Sequence, residues 1–240
     1  MARVAPALED VVADHAFAPL ARRPAARAHK AFVHLFHAVK AMNRDDAPFV
    51  AQFVASTRGE GASAVAAGFA EAAAAQWGGS VLLIDCATPD PSAVAPFHPA
   101  PQSLAEAFAR KISPQGGAQV ALQSAVQPAT SRGGVVLARL TAAEGAFSRL
   151  DLSDLGRLLD AARQVFPIIV LDCPPPSESP ESLALARCCD GTVLVIGAGE
   201  ASRSRVLQTR ADIERAGGQV LGCVLNKARS YAPRWLARRL

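Results

Sequence analysis

The chain has 240 residues and a mass of 24.9 kDa, with half of its residues hydrophobic and 19% charged. That suits one globular domain, or one with a short appendage, and its 17 glycines and 17 prolines fall well short of a disordered composition. Its 25 basic and 21 acidic residues leave a net +4 dispersed along the chain, which argues against a nucleic-acid partner, and no stretch of apolar residues is long enough to encode a transmembrane helix.

In chain order, the first 45 residues contain one helical stretch. It runs from about Pro24 to Met42, with Phe32, Leu35, Phe36 and Val39 at helical spacing. The cluster Asn43-Arg44-Asp45-Asp46-Ala47-Pro48 breaks it. A strand follows at Phe49–Ala55, then a loop, an alanine-rich helix over Ser63–Trp77 ended by Gly78-Gly79, and a strand at Val81–Ile84. The five prolines between Asp85 and Gln102 make that segment a loop. Further apolar runs at Val135–Leu140, Ile168–Leu171, Thr192–Ile196 and Val220–Leu225 alternate with helical segments near 103–112, 151–165, 178–188 and 202–216. Strands without apolar/polar alternation, joined by helices, predict an α/β fold: a doubly wound, mainly parallel sheet with helices on both faces. The division expected is an N-terminal helical segment over 1–45 and an α/β domain over 46–240.

Such sheets bind ligands at the carboxyl ends of their strands. Three ends stand out: the loop Ser56-Thr57-Arg58-Gly59-Glu60-Gly61-Ala62-Ser63, Asp85, and Asp172-Cys173-Pro174-Pro175. A glycine-bearing loop between a strand and a helix aims backbone N–H groups and the helix N-terminus at phosphate. Against the pattern G-x-x-x-x-G-K-[ST], Ser56 takes the first position, Gly61 the sixth and Ser63 the eighth. The seventh, where lysine is required, is Ala62. The same loop also fits G-x-G-x-x-A through Gly59, Gly61 and Ala64, with Asp85 as a ribose contact. Ser56-Thr57-Arg58 makes the turn too long for a dinucleotide site, however, and that reading leaves Asp172 without a role.

Other residues carry less. Cys86, Cys173, Cys188, Cys189 and Cys223 form no C-x-x-C pair and read as reduced, mostly buried small residues of a cytosolic protein. His34 and His37 share a helix face but lack a third metal ligand at matching spacing. The N-terminus lacks the apolar region of a secretory signal, and the basic, amphipathic end Arg234–Leu240 reads as a solvated tail or a contact for anionic lipid.

The chain resembles the bacterial tyrosine kinases of capsule and exopolysaccharide synthesis, relatives of the MinD and ParA ATPases with a P-loop NTPase-like fold. The loop from Ser56 to Ser63 resembles their Walker A loop, and Val81-Leu82-Leu83-Ile84-Asp85 their second acidic strand. The run Ile168–Pro175 is similar to their Walker B strand, and Ala184–Val195 and Val220–Lys227 follow the family pattern. The resemblance implies ATP or ADP held by Arg58, Gly59, Glu60, Gly61, Ala62, Ser63 and Ala64, with Asn226 bordering the adenine. It implies Mg²⁺ on Ser63 and Asp85, and Asp85 and Asp172 as the catalytic carboxylates. It also implies a partner, the cytoplasmic tail of an inner-membrane polysaccharide co-polymerase, and a homo-oligomer.

The departures shape the functional expectation. The loop lysine is Ala62, and the second carboxylate of the family's D-x-D is Ala87. The helical E-x-x-R-x-x-R that builds the family's ring is here Lys30, Val33 and Phe36, and Tyr231 is the chain's only tyrosine. A charge-assisted hydrogen bond contributes roughly 1.5–3 kcal/mol in the ground state, and a preorganised transition-state donor roughly a further hundredfold in rate. Weak nucleotide binding, or none, is therefore expected; Arg58 reads first as a solvated loop arginine, with a substitute cation for phosphate as the alternative. The function expected is that of a degenerate, cytoplasmic kinase-like subunit, peripheral to the inner membrane through its partner, that regulates or scaffolds polysaccharide polymerisation and export. The alternatives are a weakly active autokinase or ATPase and a MinD-like membrane-associated switch.

Overall fold

Six short apolar runs become strands because a residue covered on both faces of a sheet has no use for a polar side chain. The computed structural model describes residues 26–43, 47–86, 103–104, 126–128, 134–140 and 152–228. The strands are β1 (Phe49–Ala55), β2 (Val81–Asp85), β3 (Val126–Pro128), β4 (Val135–Arg139), β5 (Ile168–Cys173), β6 (Gly191–Gly197) and β7 (Val220–Asn226). They form one sheet in the order β3-β4-β2-β5-β1-β6-β7. All neighbours are parallel except β3, which runs antiparallel to β4 at one edge. β3 is the one strand that the sequence pattern does not reveal. It is three residues long and ends in Pro128, a residue that an edge strand tolerates.

Among the described residues the helices are α1 (Ala26–Met42), α2 (Ala62–Trp77), α3 (Leu152–Arg163), α4 (Glu181–Ala186) and α5 (Arg203–Arg215). Side chains alternate across each strand, so the sheet has two cores. On one face Phe49, Ala51, Phe53, Leu83, Val170 and Val195 meet Phe36 and Val39 of α1 and Val65, Phe69 and Ala73 of α2. On the other, Val50, Val54, Leu82, Ile169, Leu171 and Leu194 meet α3 through Leu155, Leu158 and Leu159, α4 through Leu185 and α5 through Ile213. The doubly wound α/β arrangement expected from the sequence is the one observed.

Helix α2 is alanine-rich because it is squeezed between α1 and the sheet. Gly68 faces the Phe32 ring so closely that even a methyl group would collide with it. It stops at Gly78, whose left-handed φ of 70° lets its N–H reach the Ala74 carbonyl. α5 buries Thr209 and Ile213 and starts at Ser202, whose hydroxyl accepts from the Arg205 N–H at 3.3 Å. The helical segment expected near 178–188 shortens to α4, with hydrogen-bonded turns on either side. The proline loop, most of the segment near 103–112, Tyr231 and the basic tail lie outside the described residues. Among the described residues no helix is long and apolar enough to cross a membrane.

Candidate functional site

The strand order brings the carboxyl ends of β1, β2, β5, β6 and β7 to one edge of the sheet. From β1 the chain passes to β2 on one side and later returns to β6 on the other, so the connecting segments part beside the Ser56–Ser63 loop. A crevice at such a switch point is where open α/β sheets hold ligands.

The loop is held by its own neighbours. Glu60 is wholly buried, and its carboxylate accepts from the Ser56 N–H at 2.8 Å, the Thr57 N–H at 3.2 Å and the Ser56 hydroxyl at 3.0 Å. These bonds satisfy a carboxylate taken out of water and fix the entry to the loop. Gly59 and Gly61 have φ of 92° and 91°, values that side chains with a Cβ rarely adopt. Gly61 is also the N-cap of α2, and no side chain caps that helix end. The first-turn N–H groups and the positive end of the helix dipole are thus available to an anion.

Two carboxylates lie beside this helix start. Asp85 and Asp172 are register partners on β2 and β5, both buried. Strand periodicity turns them to the face that carries α2, while Cys86 and Cys173, the next residues, turn into the opposite core. The Ser63 hydroxyl hydrogen-bonds Asp172. Burial above all, and then the charge of Asp85, push the Asp172 carboxyl up to about 7 despite the lowering effect of Ser63. Its Oδ2 is buried without a hydrogen-bond partner. An orphaned carboxylate oxygen beside a second carboxylate and a hydroxyl fits a hard cation such as Mg²⁺, which takes oxygen ligands and keeps several waters. No group of three or more His, Cys, Asp or Glu side chains able to hold a metal occurs among the described residues, so such an ion would complete its shell with water or phosphate.

The structure thus places Gly59, Glu60, Gly61, Ala62, Ser63, Asp85 and Asp172 together at the carboxyl ends of β1, β2 and β5. Ala64 lies exposed on the first turn of α2, and Arg58 is exposed in the loop and already engaged in an interaction. Asn226 comes to the loop itself: its Nδ2 donates to the Glu60 carbonyl at 3.0 Å and packs against Gly61. Two residues absent from the sequence-based site join it. Lys227, just after β7, donates from Nζ to the Gly59 carbonyl at 2.6 Å and to Glu200 at 2.9 Å. The only hint in the sequence is the run Leu225-Asn226-Lys227, which says nothing about a partner 168 residues away.

The sheet order, the glycine-bearing loop on β1 and the paired acidic strand ends define a P-loop NTPase-like α/β domain. The comparisons narrow that class: the chain resembles the bacterial tyrosine kinases, in sequence over one segment and in fold over most of its length. It is 34% identical over 71 residues to a tyrosine-protein kinase CpsD of Streptococcus agalactiae, a match covering 30% of this chain and 31% of that kinase. The fold is similar to the kinase domain of the Escherichia coli tyrosine kinase ETK, with a TM-score of 0.69 and 19% identity over 85% of this chain and 79% of that one. It is also similar to a ParA family ATPase from Chlorobium tepidum, with a TM-score of 0.62 and 18% identity over 77% of each chain. No family model matches the chain.

Proposed function

We propose that this chain is a kinase-fold protein with a reduced phosphoryl-transfer apparatus that acts as a cytoplasmic regulatory or scaffolding subunit of surface-polysaccharide polymerisation and export. The observation that carries this reading is a fully built loop with Ala62 where the lysine of a phosphate loop belongs. The backbone cradle, Gly61, Ser63 and the helix N-terminus are in place, and the loop's own charge for a leaving phosphoryl group is not. The partner in this reading is the cytoplasmic tail of an inner-membrane polysaccharide co-polymerase, with self-assembly as a further contact. Mg-ATP and Mg-ADP bind weakly at the loop, with Asn226 beside the purine.

A second reading has its own support. Ser63, Asp85 and Asp172 remain together, and a chain freed from nucleotide chemistry has no evident reason to keep an orphaned buried carboxylate oxygen. In this reading the protein is a slow ATPase or autokinase of the same family.

One set of measurements separates the two. Under the first, incubation with labelled ATP and Mg²⁺ leaves turnover and phosphotyrosine at background, and Asp172→Ala supports near-normal polysaccharide output in cells lacking the native copy. A well-expressed Asp172→Ala variant with no output, or clear label on Tyr231, decides for the second. Calorimetry with Mg-ADP tests the nucleotide site in either case.

A further inference from the structure

We propose that Lys227, carried on the end of β7, is the cation that the phosphate loop uses in place of one at its own seventh position. This rests on the reading of the loop as a nucleotide-phosphate site.

Lys227 is the only non-glycine residue with a positive φ, 57°, among the described residues. A lysine gains nothing locally from the left-handed region, and backbone strain of that kind gathers where a residue is held for use. The strained turn brings its side chain back over the loop, where the ammonium meets the Gly59 carbonyl at 2.6 Å and both Glu200 oxygens at 2.9 Å. The neighbouring residue fixes the register. Asn226 bonds the Glu60 carbonyl and fills the space left by the missing side chain of Gly61, so the end of β7 and the loop are locked together.

The charges point the same way. Around the loop stand the carboxylates of Glu60, Asp85, Asp172 and Glu200. A polyphosphate entering there needs a compensating cation, and Ala62 provides none. The ion pair of Lys227 with Glu200 is half-exposed on both sides, 43% and 45%, so solvent screens it and release requires little. A phosphate is a stronger partner for an ammonium than a neutral carbonyl with a screened carboxylate. Glu200 is then the resting partner of Lys227 and competes with nucleotide for it.

Two variants of the full chain and their combination, titrated with Mg-ADP by calorimetry, decide the matter. Lys227→Met is expected to weaken binding about tenfold or more, the loss of one charge-assisted hydrogen bond. Glu200→Gln is expected to tighten it, because it frees the lysine. Because loss of the Glu200 charge alone also favours an anion, the tightening must disappear when Glu200→Gln is made in the Lys227→Met background; tightening that persists there overturns the assignment. Unchanged binding in Lys227→Met, or unchanged or weaker binding in Glu200→Gln, overturns the assignment while leaving the nucleotide site intact. A wild-type chain that binds no Mg-ADP overturns the nucleotide reading and this assignment with it. Thermal unfolding of each variant excludes a folding defect as the source of a loss.

Discussion

Asp172 takes up its proton on folding, and this gives the site a pH signature. Its carboxyl moves from 3.8 to about 7, mainly because burial disfavours the charge and then because Asp85 lies alongside. Between those values the folded chain holds a proton that the unfolded chain has released, so stability falls as pH rises through that window. The full window corresponds to a few kcal/mol, at about 1.4 kcal/mol per unit. In buffer with a chelator, the urea midpoint of the wild type is expected to drop between pH 5 and pH 8. Asp172→Asn keeps the shape without the charge; its midpoint should be flatter with pH and higher than that of the wild type at pH 8. Parallel curves for the two proteins would remove the carboxyl as the cause. Gly61 gives a second residue-scale expectation. Gly61→Ala places a Cβ at a φ of 91° and against Asn226, so it should lower stability by about 1–2 kcal/mol in denaturant unfolding. An unchanged midpoint would mean that the loop relaxes freely.

Elements are joined here by two kinds of contact with different tolerances. Phe69 of α2 packs against Phe53 of β1 at 5.0 Å and Phe36 of α1 at 6.1 Å between ring centroids, tying both helices to the sheet. Phe69→Ala is expected to cost about 3–5 kcal/mol in chemical denaturation, and a loss under about 1 kcal/mol would mean that the layer closes over the gap. On the opposite face a polar link crosses three elements. Gln52 in β1, wholly buried, donates to the Ser182 carbonyl of α4 at 2.7 Å and accepts from the Thr192 hydroxyl of β6 at 2.8 Å. The Ser182 hydroxyl in turn donates to the Pro174 carbonyl at 2.7 Å, just past Asp172. Gln52→Leu leaves two buried groups unmet and should cost about 1–3 kcal/mol for each such group. Adding Thr192→Val removes one of them, so the double variant should recover part of the loss. Additive losses in this cycle would show that the two side chains are not coupled.

The whole molecule is unevenly protected. β1 and β5 lie inside the sheet and are buried throughout, while β7 is an edge strand in which Gly222, Cys223 and Leu225 are exposed. Amide hydrogen exchange followed by mass spectrometry should find β5 and β1 slowest and β7 among the fastest of the strands. Because β7 carries Asn226 and Lys227 to the loop, Mg-ADP should slow exchange in β7 as well as in the Ser56–Ser63 loop. Protection confined to the loop would argue that β7 takes no part in holding nucleotide. The ends of β1, β2, β5, β6 and β7 meet at one edge, so opening the sheet at β7 loosens the crevice from one side only. Asp85 and Asp172, on β2 and β5, stay within the buried interior of the sheet.

The sequence by itself determined the layered fold and the positions of the loop and of the two acidic strand ends. Unbroken apolar runs admit only strands covered on both faces, and Gly59, Gly61 and Ala62 state the loop's conformation and its missing charge directly. Period-two alternation also dictates that Asp85 and Cys86, like Asp172 and Cys173, face opposite cores. The tertiary structure decided which of these residues meet. Asp85 lies beside Asp172 only because β2 pairs with β5, and residues 87 positions apart carry no local signal of that pairing. Strand β3 escaped notice because three residues ending in proline are too short to show a period. The contact between Lys227 and the loop was out of reach for the same physical reason, although the family pattern already put the end of that strand near the site. Lys227 comes to Gly59 through the strand order β1-β6-β7 and a left-handed turn, and neither a distant strand order nor one residue's φ is written in the neighbouring sequence.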